Sequence, residues 1–221
     1  MKLFIDFDNT FIQTETLEEL AEIVNCDSIT KAKIEQITEQ GMRGQISFHH
    51  ALNQRLELIN MTREHVEICT NNLKSNISES FKRKQGWLLK HAEHIIILSG
   101  GFKDIIDPIA VEFGFSPEQV FANELVYDAQ GKVVGVNESN PLAHDQGKAK
   151  VAASILSGQE SATMLGDGYN DYALKQAGIA GQFYLFVENI YRKELEKYAD
   201  RIISSLDEIT EIFNDIAIPK K

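Results

Sequence analysis

Two short acidic clusters carry the residues best suited to chemistry: Asp6-Phe7-Asp8-Asn9-Thr10 near the start of the chain, and Gly166-Asp167-Gly168-Tyr169-Asn170-Asp171 far downstream. Each follows an apolar run, which places the carboxylates at strand tips rather than in packing. Such carboxylates beside glycines suit a hard divalent cation. Mg²⁺ takes oxygen ligands in an octahedron and keeps several waters. A phosphate monoester repels an anionic nucleophile, and a cation held between the two removes that repulsion while polarising the phosphoryl oxygens. The expected metal set is the side chains of Asp6 and Asp167 with the backbone carbonyl of Asp8, and Asp171 supports it through a metal-bound water.

Positions 6 and 8 point to one side of an extended chain while Phe7 points away into packing. That spacing lets Asp6 attack phosphorus in line and leaves Asp8 near the departing oxygen as an acid. Asp8 can later activate the water that cleaves an aspartyl-phosphate. Two carboxylates beside a cation split their proton affinities in the way this division of labour needs. The hydroxyl of Ser99 and the N–H groups around it are placed to hold phosphoryl oxygens. The site also needs a cation near the transferred group, which Lys148 or Lys150 would supply, and Asn170 would orient the aspartates beside it. His49, His50 and His144, scattered along the chain, read as surface histidines.

These groups require a scaffold that brings distant strand ends together. Leu3 to Phe7, Ile95 to Leu98 and Ala162 to Leu165 are short apolar runs that stop at Asp6–Asp8, Ser99-Gly100-Gly101 and Gly166-Asp167-Gly168. Helical patterns follow the second and third, through Ile105, Ile106, Ile109 and Phe113, and through Ala173, Leu174 and Ala177. Repeated strand, polar loop and helix predict a parallel sheet with its ligand site beyond the carboxyl ends of the strands. The stretch from Thr16 to Trp87 holds no proline and reads as helical throughout: Leu17, Leu20, Ala21 and Val24 form one face, Phe48 to Ile59 another, and Val66, Cys69, Leu73 and Ile77 a third, with Gly41 and Gly44 punctuating the middle. Residues 124–135 read as a hairpin turning at Asp128-Ala129-Gln130-Gly131, 147–156 as a helix, 183–187 and 201–203 as further strands, and 208–213 as a closing helix.

The expected architecture is therefore α/β: a Rossmann-like parallel sheet with helices on both faces, and a small helical cap inserted after the first strand. We expect residues 1–14 and 84–221 to form the core and 15–83 the cap. A chain of 221 residues, 43% hydrophobic, suffices for one sizeable core with an appended module. A net charge of -11 gives no footprint for nucleic acid or an anionic membrane. Two cysteines, Cys26 and Cys69, without metal-like spacing, fit reduced thiols. No apolar stretch approaches the ~20 residues that spanning a bilayer needs. The expectation is a cytoplasmic protein that acts on a small phosphorylated metabolite, with no nucleic-acid or membrane partner, as a monomer or homodimer.

The motifs together resemble the haloacid dehalogenase-like hydrolases, and within them the phosphoserine phosphatase-like family. DFDNT is similar to the first family motif, Leu98-Ser99-Gly100-Gly101-Phe102 to the second and GDGYND to the fourth, in that order, with the helical insert between the first and second. The resemblance implies a Mg²⁺-dependent phosphoric monoester hydrolase with Asp6 as nucleophile, Asp8 as acid and base, and Ser99 and the Gly100 backbone on the phosphate. Lys148 best resembles the third-motif lysine, with Lys150 a rival and Gln146 at a position where relatives can carry it. Glu15 falls where such enzymes recognise a substrate amine. The stretch GMRGQISFHHALNQRL resembles the cap segment that grips the substrate, which implies Met42, Phe48 and Arg55 as substrate-facing. O-phospho-L-serine is the substrate this implies. The alternatives are a related phosphatase or phosphotransferase acting on phosphohomoserine or a methylthio sugar phosphate, and a non-catalytic metal-binding interaction protein. The chain departs from the family pattern at Asn9, in the segment before the second strand, and at residues 184–193, which are longer than the matching segment.

Overall fold

The computed structural model of the protein describes residues 1–156 and 161–216. Its centre is a sheet in which β1 (Lys2–Ile5) is buried because successive side chains serve opposite faces: Leu3 and Ile5 join one apolar cluster, Phe4 the other. The chain then leaves the sheet for α1 (Thr16–Ile23), α2 (Ser28–Met42), α3 (Phe48–Leu58) and α4 (Arg63–Leu73). It returns through α5 (Glu79–Arg83) and α6 (Gln85–His91) to β2 (Ile95–Phe102), α7 (Lys103–Ala110) and β3 (Val120–Asn123). A hairpin of β4 (Leu125–Tyr127) and β5 (Val133–Val136) precedes α8 (Gly147–Ile155) and β6 (Ala162–Gly166). The remainder is α9 (Tyr169–Gln176), β7 (Gln182–Phe186), β8 (Arg201–Ile203) and α10 (Leu206–Ile216).

Six strands form one sheet in the order β3-β2-β1-β6-β7-β8, all parallel. β1 lies between β2 and β6, so the ends of all three acidic or glycine-rich runs converge at one rim. Every strand-helix-strand return must cross the sheet, and both faces are covered as an all-parallel sheet requires. The helices α4 and α7, with Phe113 and α10, cover one face, while Val151, Ala152 and Leu174 of α8 and α9 cover the other. The apolar faces of α1 and α4 are continuous with the first of these clusters, so the inserted helices share the core of the sheet. Phe11 anchors this junction, its ring 4.8 Å from Phe81 and 5.0 Å from Phe113.

Several local expectations need correction. β2 does not stop at Ser99: it continues to Phe102 across an irregularity, because Asn123 donates to the Gly100 carbonyl (2.8 Å) and Phe102 pairs with Asn123. β1 ends at Ile5, where Phe7–Phe11 turns in a single irregular coil with Asn9 at φ 52°. Gly41 lies inside α2; the break comes at Gly44, whose φ of 70° only glycine adopts freely. Ile77 falls beyond α4 and forms an isolated antiparallel bridge with Ile12. β3 has no counterpart among the sequence expectations, its apolar run, Val120-Phe121-Ala122, being only three residues long.

Candidate active site

The irregular turn after β1 directs Asp6 and Asp8 into a cleft of about 480 Å³ lined also by Glu15, Met42, Phe48, Arg55, Gly100, Lys148, Asn170 and Asp171. Its floor is a chain of ion pairs. Lys148 Nζ donates to Asp6 Oδ1 at 2.8 Å and to Asp171 Oδ1 at 2.7 Å. Lys148 is only 8% exposed, whereas Lys150 is exposed, so of the two rivals Lys148 alone reaches the carboxylates. Burial works against its charge, but Asp171 and Asp6 hold its pKa above the ordinary lysine value. Asp171 also accepts from the Gly168 N–H at 3.0 Å, which fixes the second acidic loop.

Asp8 is turned differently. Its Oδ1 accepts from the Thr16 N–H at 3.0 Å and from the Thr16 hydroxyl at a shorter contact, at the start of α1. Its other oxygen faces the glycine run after Ser99: a Cβ built on Gly101 would lie 3.3 Å from Asp8 Oδ2 and 3.2 Å from Ser99 Oγ. Ser99 is buried and accepts from the Gly101 N–H at 2.9 Å. Burial raises the Asp8 pKa to about 7, the hydrogen bond from Thr16 opposing and the neighbouring Asp6 adding. A carboxyl so placed is able to hold a proton near neutral pH and release it.

Oxygen atoms of Asp6, Asp167 and Asp171 lie within 4.8 Å of one another, all buried. This hard, anionic donor set fits a divalent cation. The Asp8 side chain is outside the set. Burial, with Asp6 adding, raises Asp167 to about 6, and burial with Asp6 raises Asp171 to about 8; both directions describe carboxylates crowded without enough positive charge.

Above this floor sits the helical layer. Glu15 is buried, accepts from Asn9 Nδ2 at 2.6 Å and faces Arg55 across 3.8 Å. Arg55 is held by the Ala51 carbonyl (3.1 Å) and the Thr38 hydroxyl (3.2 Å). Burial pushes Glu15 well above and Arg55 below their ordinary values, Asp8 adding to the first shift and Glu15 opposing the second. The two charges are thus desolvated without fully satisfying each other. Phe48 and Met42 close the layer onto the loops below: a Cβ on Gly100 would lie 2.7 Å from the Phe48 ring, and one on Gly168 would lie 2.8 Å from Met42 Sδ. Asn170 lines the cleft wall.

Three residues here were not anticipated. Asn9 stands where the family pattern has a small residue; its left-handed backbone suits asparagine, and its amide positions Glu15. Arg192, in the β7–β8 connection, is 3% exposed and donates through Nη1 to Asp167 Oδ2 in a short contact. It also reaches Glu39 of α2 at 3.5 Å. The only sequence signal for it was the added length of the 184–193 segment. Asn189, in the same segment, donates to the carbonyls of Asn9 (3.0 Å) and Ile12 (3.2 Å) and to Ser78 Oγ (2.7 Å), tying the connection to both ends of the insert. Nor are His49 and His144 isolated at the surface: both are partly buried, and their rings stack at 5.1 Å.

The family model of the haloacid dehalogenase-like hydrolases matches residues 3–175. The chain is 30% identical over 207 residues to the phosphoserine phosphatase of Drosophila melanogaster, covering 92% of this chain and 74% of the relative. It is 28% identical over 206 residues to that of Bos taurus, covering 92% and 89%. The crystal structure of a phosphoserine phosphohydrolase-like protein from Francisella tularensis subsp. tularensis SCHU S4 superposes with a TM-score of 0.86 at 26% identity, covering 96% of this chain and 99% of that one. Among the described residues no helix is long and apolar enough to cross a membrane. With the strand ends, carboxylates and lysine arranged as described, the chain belongs to the haloacid dehalogenase-like hydrolases, as a phosphoric monoester hydrolase of the phosphoserine phosphatase-like family.

Proposed function

We propose that the chain hydrolyses O-phospho-L-serine to L-serine and phosphate, with Mg²⁺ at Asp6, Asp167 and the Asp8 carbonyl and with Asp171 in support. The observation that carries this reading is the buried Glu15–Arg55 pair, 3.8 Å apart in the same cleft as Asp6 and Asp8. An amino-acid substrate offers each group what it lacks: its ammonium to Glu15 and its carboxylate to Arg55. Residues 15–83 act as the cap over a core of 1–14 and 84–221, and Phe48 and Met42 exclude water from the closed cleft.

The bound cation supplies charge neutralisation for the approaching phosphate. The chain's own residues do the rest. Ser99 Oγ and the Gly100 N–H hold phosphoryl oxygens, and Lys148 keeps a positive charge between Asp6 and the phosphoryl group. Asp6 forms the new bond to phosphorus while Asp8 gives its proton to the departing serine oxygen. Asp8 then takes a proton from the water that attacks the aspartyl-phosphate, releasing phosphate and restoring Asp6. Asn170 orients the acidic loop.

A panel of phosphate esters assayed with the wild type and Glu15→Gln tests the substrate. Phosphoserine is expected to be preferred by the wild type, and that preference to collapse in the variant. Unchanged selectivity would remove Glu15 from substrate recognition. A wild-type preference for phosphohomoserine or a sugar phosphate would replace the substrate while leaving the chemistry.

A further inference from the structure

A second cluster of ligating side chains lies outside the carboxylate centre, where α3 meets the segment between β5 and α8. His49 in the first turn of α3, Glu138 and His144 each offer a ligand atom, and these atoms lie within 4.8 Å of one another. The side chains come from two sides of the seam: α3 supplies one histidine, the core segment supplies the other and the carboxylate. We propose that His49, Glu138 and His144 form a second metal site, for a borderline divalent ion such as Zn²⁺, that ties α3 to the core beside the catalytic cleft.

Three observations support it. The first is donor chemistry: two imidazoles with one carboxylate suit Zn²⁺ and disfavour Mg²⁺, which takes oxygen ligands. The second is proximity: the His49 and His144 rings, 5.1 Å apart between centroids and 26° between planes, bring both imidazoles to one point of the seam. The third is the set of outer contacts. A ligating histidine commonly has its ring fixed by a hydrogen bond from the other ring nitrogen to a carbonyl or carboxylate. Here His49 Nδ1 lies 2.8 Å from the Ala143 carbonyl, and His144 Nε2 lies 2.8 Å from the Glu138 carbonyl; the remaining His49 nitrogen, Nε2, stands 3.0 Å from Asn53 Nδ2, a contact the ion would displace. Asp145 Oδ1 further accepts from the His49 backbone N–H at 3.1 Å, adding negative charge on the core side of the seam. Glu138 is exposed, and its carboxylate stands 3.6 Å from His144 Nε2, within the cluster an ion would close.

The location gives the site a consequence. His144 lines a cavity together with Phe48, Gly100, Lys148 and Asn170, and Phe48 adjoins His49 in α3. An ion bridging the two sides would hold Phe48 down on Gly100. That consequence rests on the cap reading above; the binding itself does not.

Zn²⁺ titration of the full chain by calorimetry, with Mg²⁺ in excess to fill the carboxylate centre, tests the proposal without measuring turnover. Wild type, His49→Gln, His144→Gln and Asp167→Asn are compared, each checked by circular dichroism. One Zn²⁺ is expected to bind the wild type and Asp167→Asn with similar affinity, and each histidine variant at least about tenfold more weakly. Co²⁺ in place of Zn²⁺ is expected to give a visible spectrum with imidazole ligation that both histidine variants lose. Absence of Zn²⁺ binding under excess Mg²⁺, equal affinity in the histidine variants, or loss of binding in Asp167→Asn alone would each overturn it. A failure of phosphoserine selectivity would leave the result untouched.

Discussion

Arg192 Nη1 donates to the carboxylate of Asp167 although the two residues lie on different connections of the sheet, 25 positions apart. The pair is almost wholly buried, so each charge depends on the other for the solvation that water no longer gives. Arg192 also approaches Glu39, and Arg43 in turn pairs with Glu39 at 3.1 Å and Glu194 at 2.8 Å. One ion-pair chain thus runs from the carboxylate centre to the helical layer. Arg192→Gln would leave Asp167 uncompensated, and the metal-free variant should lose about 3 kcal/mol of stability. A divalent cation would then replace the missing charge. Urea unfolding with and without Mg²⁺ should show a larger Mg²⁺ stabilisation in the variant than in the wild type; an equal or smaller one would mean that Arg192 does not share Asp167 with the metal.

Asp6→Asn removes the attacking oxygen while keeping the side chain's shape. Turnover should fall by at least about 10⁴-fold, as for other groups that act as one catalytic unit. The far-UV circular dichroism spectrum should be unchanged. Substantial residual turnover in a folded variant would assign the nucleophile elsewhere.

Arg55→Ala should separate recognition from chemistry. A hydrogen-bonded charge is worth about 1.5–3 kcal/mol, so kcat/KM for phosphoserine should fall about 10- to 150-fold. An aryl phosphate without a carboxylate should lose little. Equal losses on both substrates would place Arg55 in the architecture of the helical layer and not on the substrate.

Chelation should abolish turnover, and Mg²⁺ should restore it. The buried acidic group of Asp6, Asp167 and Asp171 should also make the protein melt at a higher temperature with the ion than without it. A melting temperature independent of Mg²⁺ would argue against binding at this group.

Phe11→Ala should cost about 3–5 kcal/mol, because it empties the middle of an aromatic cluster formed with Phe81, Phe113 and Phe115. Denaturant unfolding reads this directly. Phe11 also closes the turn that holds Asp8, its ring 5.7 Å from that of Phe7, so activity per folded molecule should fall as well. A loss under about 1 kcal/mol would mean the cluster relaxes to fill the void.

Much of this molecule was legible without coordinates. Apolar runs of four or five residues ending in carboxylates or glycines dictate buried parallel strands with polar tips, and β1, β2 and β6 follow that rule. The helical period between Thr16 and Trp87 likewise fixes the insert, and residue type alone nominates Asp6, Asp8 and Asp167 for a hard cation. These are local properties, set by side-chain periodicity and donor chemistry. Proximity is not local, and only tertiary structure could decide it. Lys148 and Lys150 are alike in sequence, but the two helical positions between them, a rotation of about 200°, turn the first onto Asp6 and Asp171 and the second to solvent. Asn9 holds Glu15, Arg192 holds Asp167, and His49 meets His144, because the sheet order β3-β2-β1-β6-β7-β8 and the seam of the insert bring separate connections to one rim. A charge partner supplied across such a gap leaves no spacing to read, since its distance along the chain is set by the helices between the strands and not by the bond it makes.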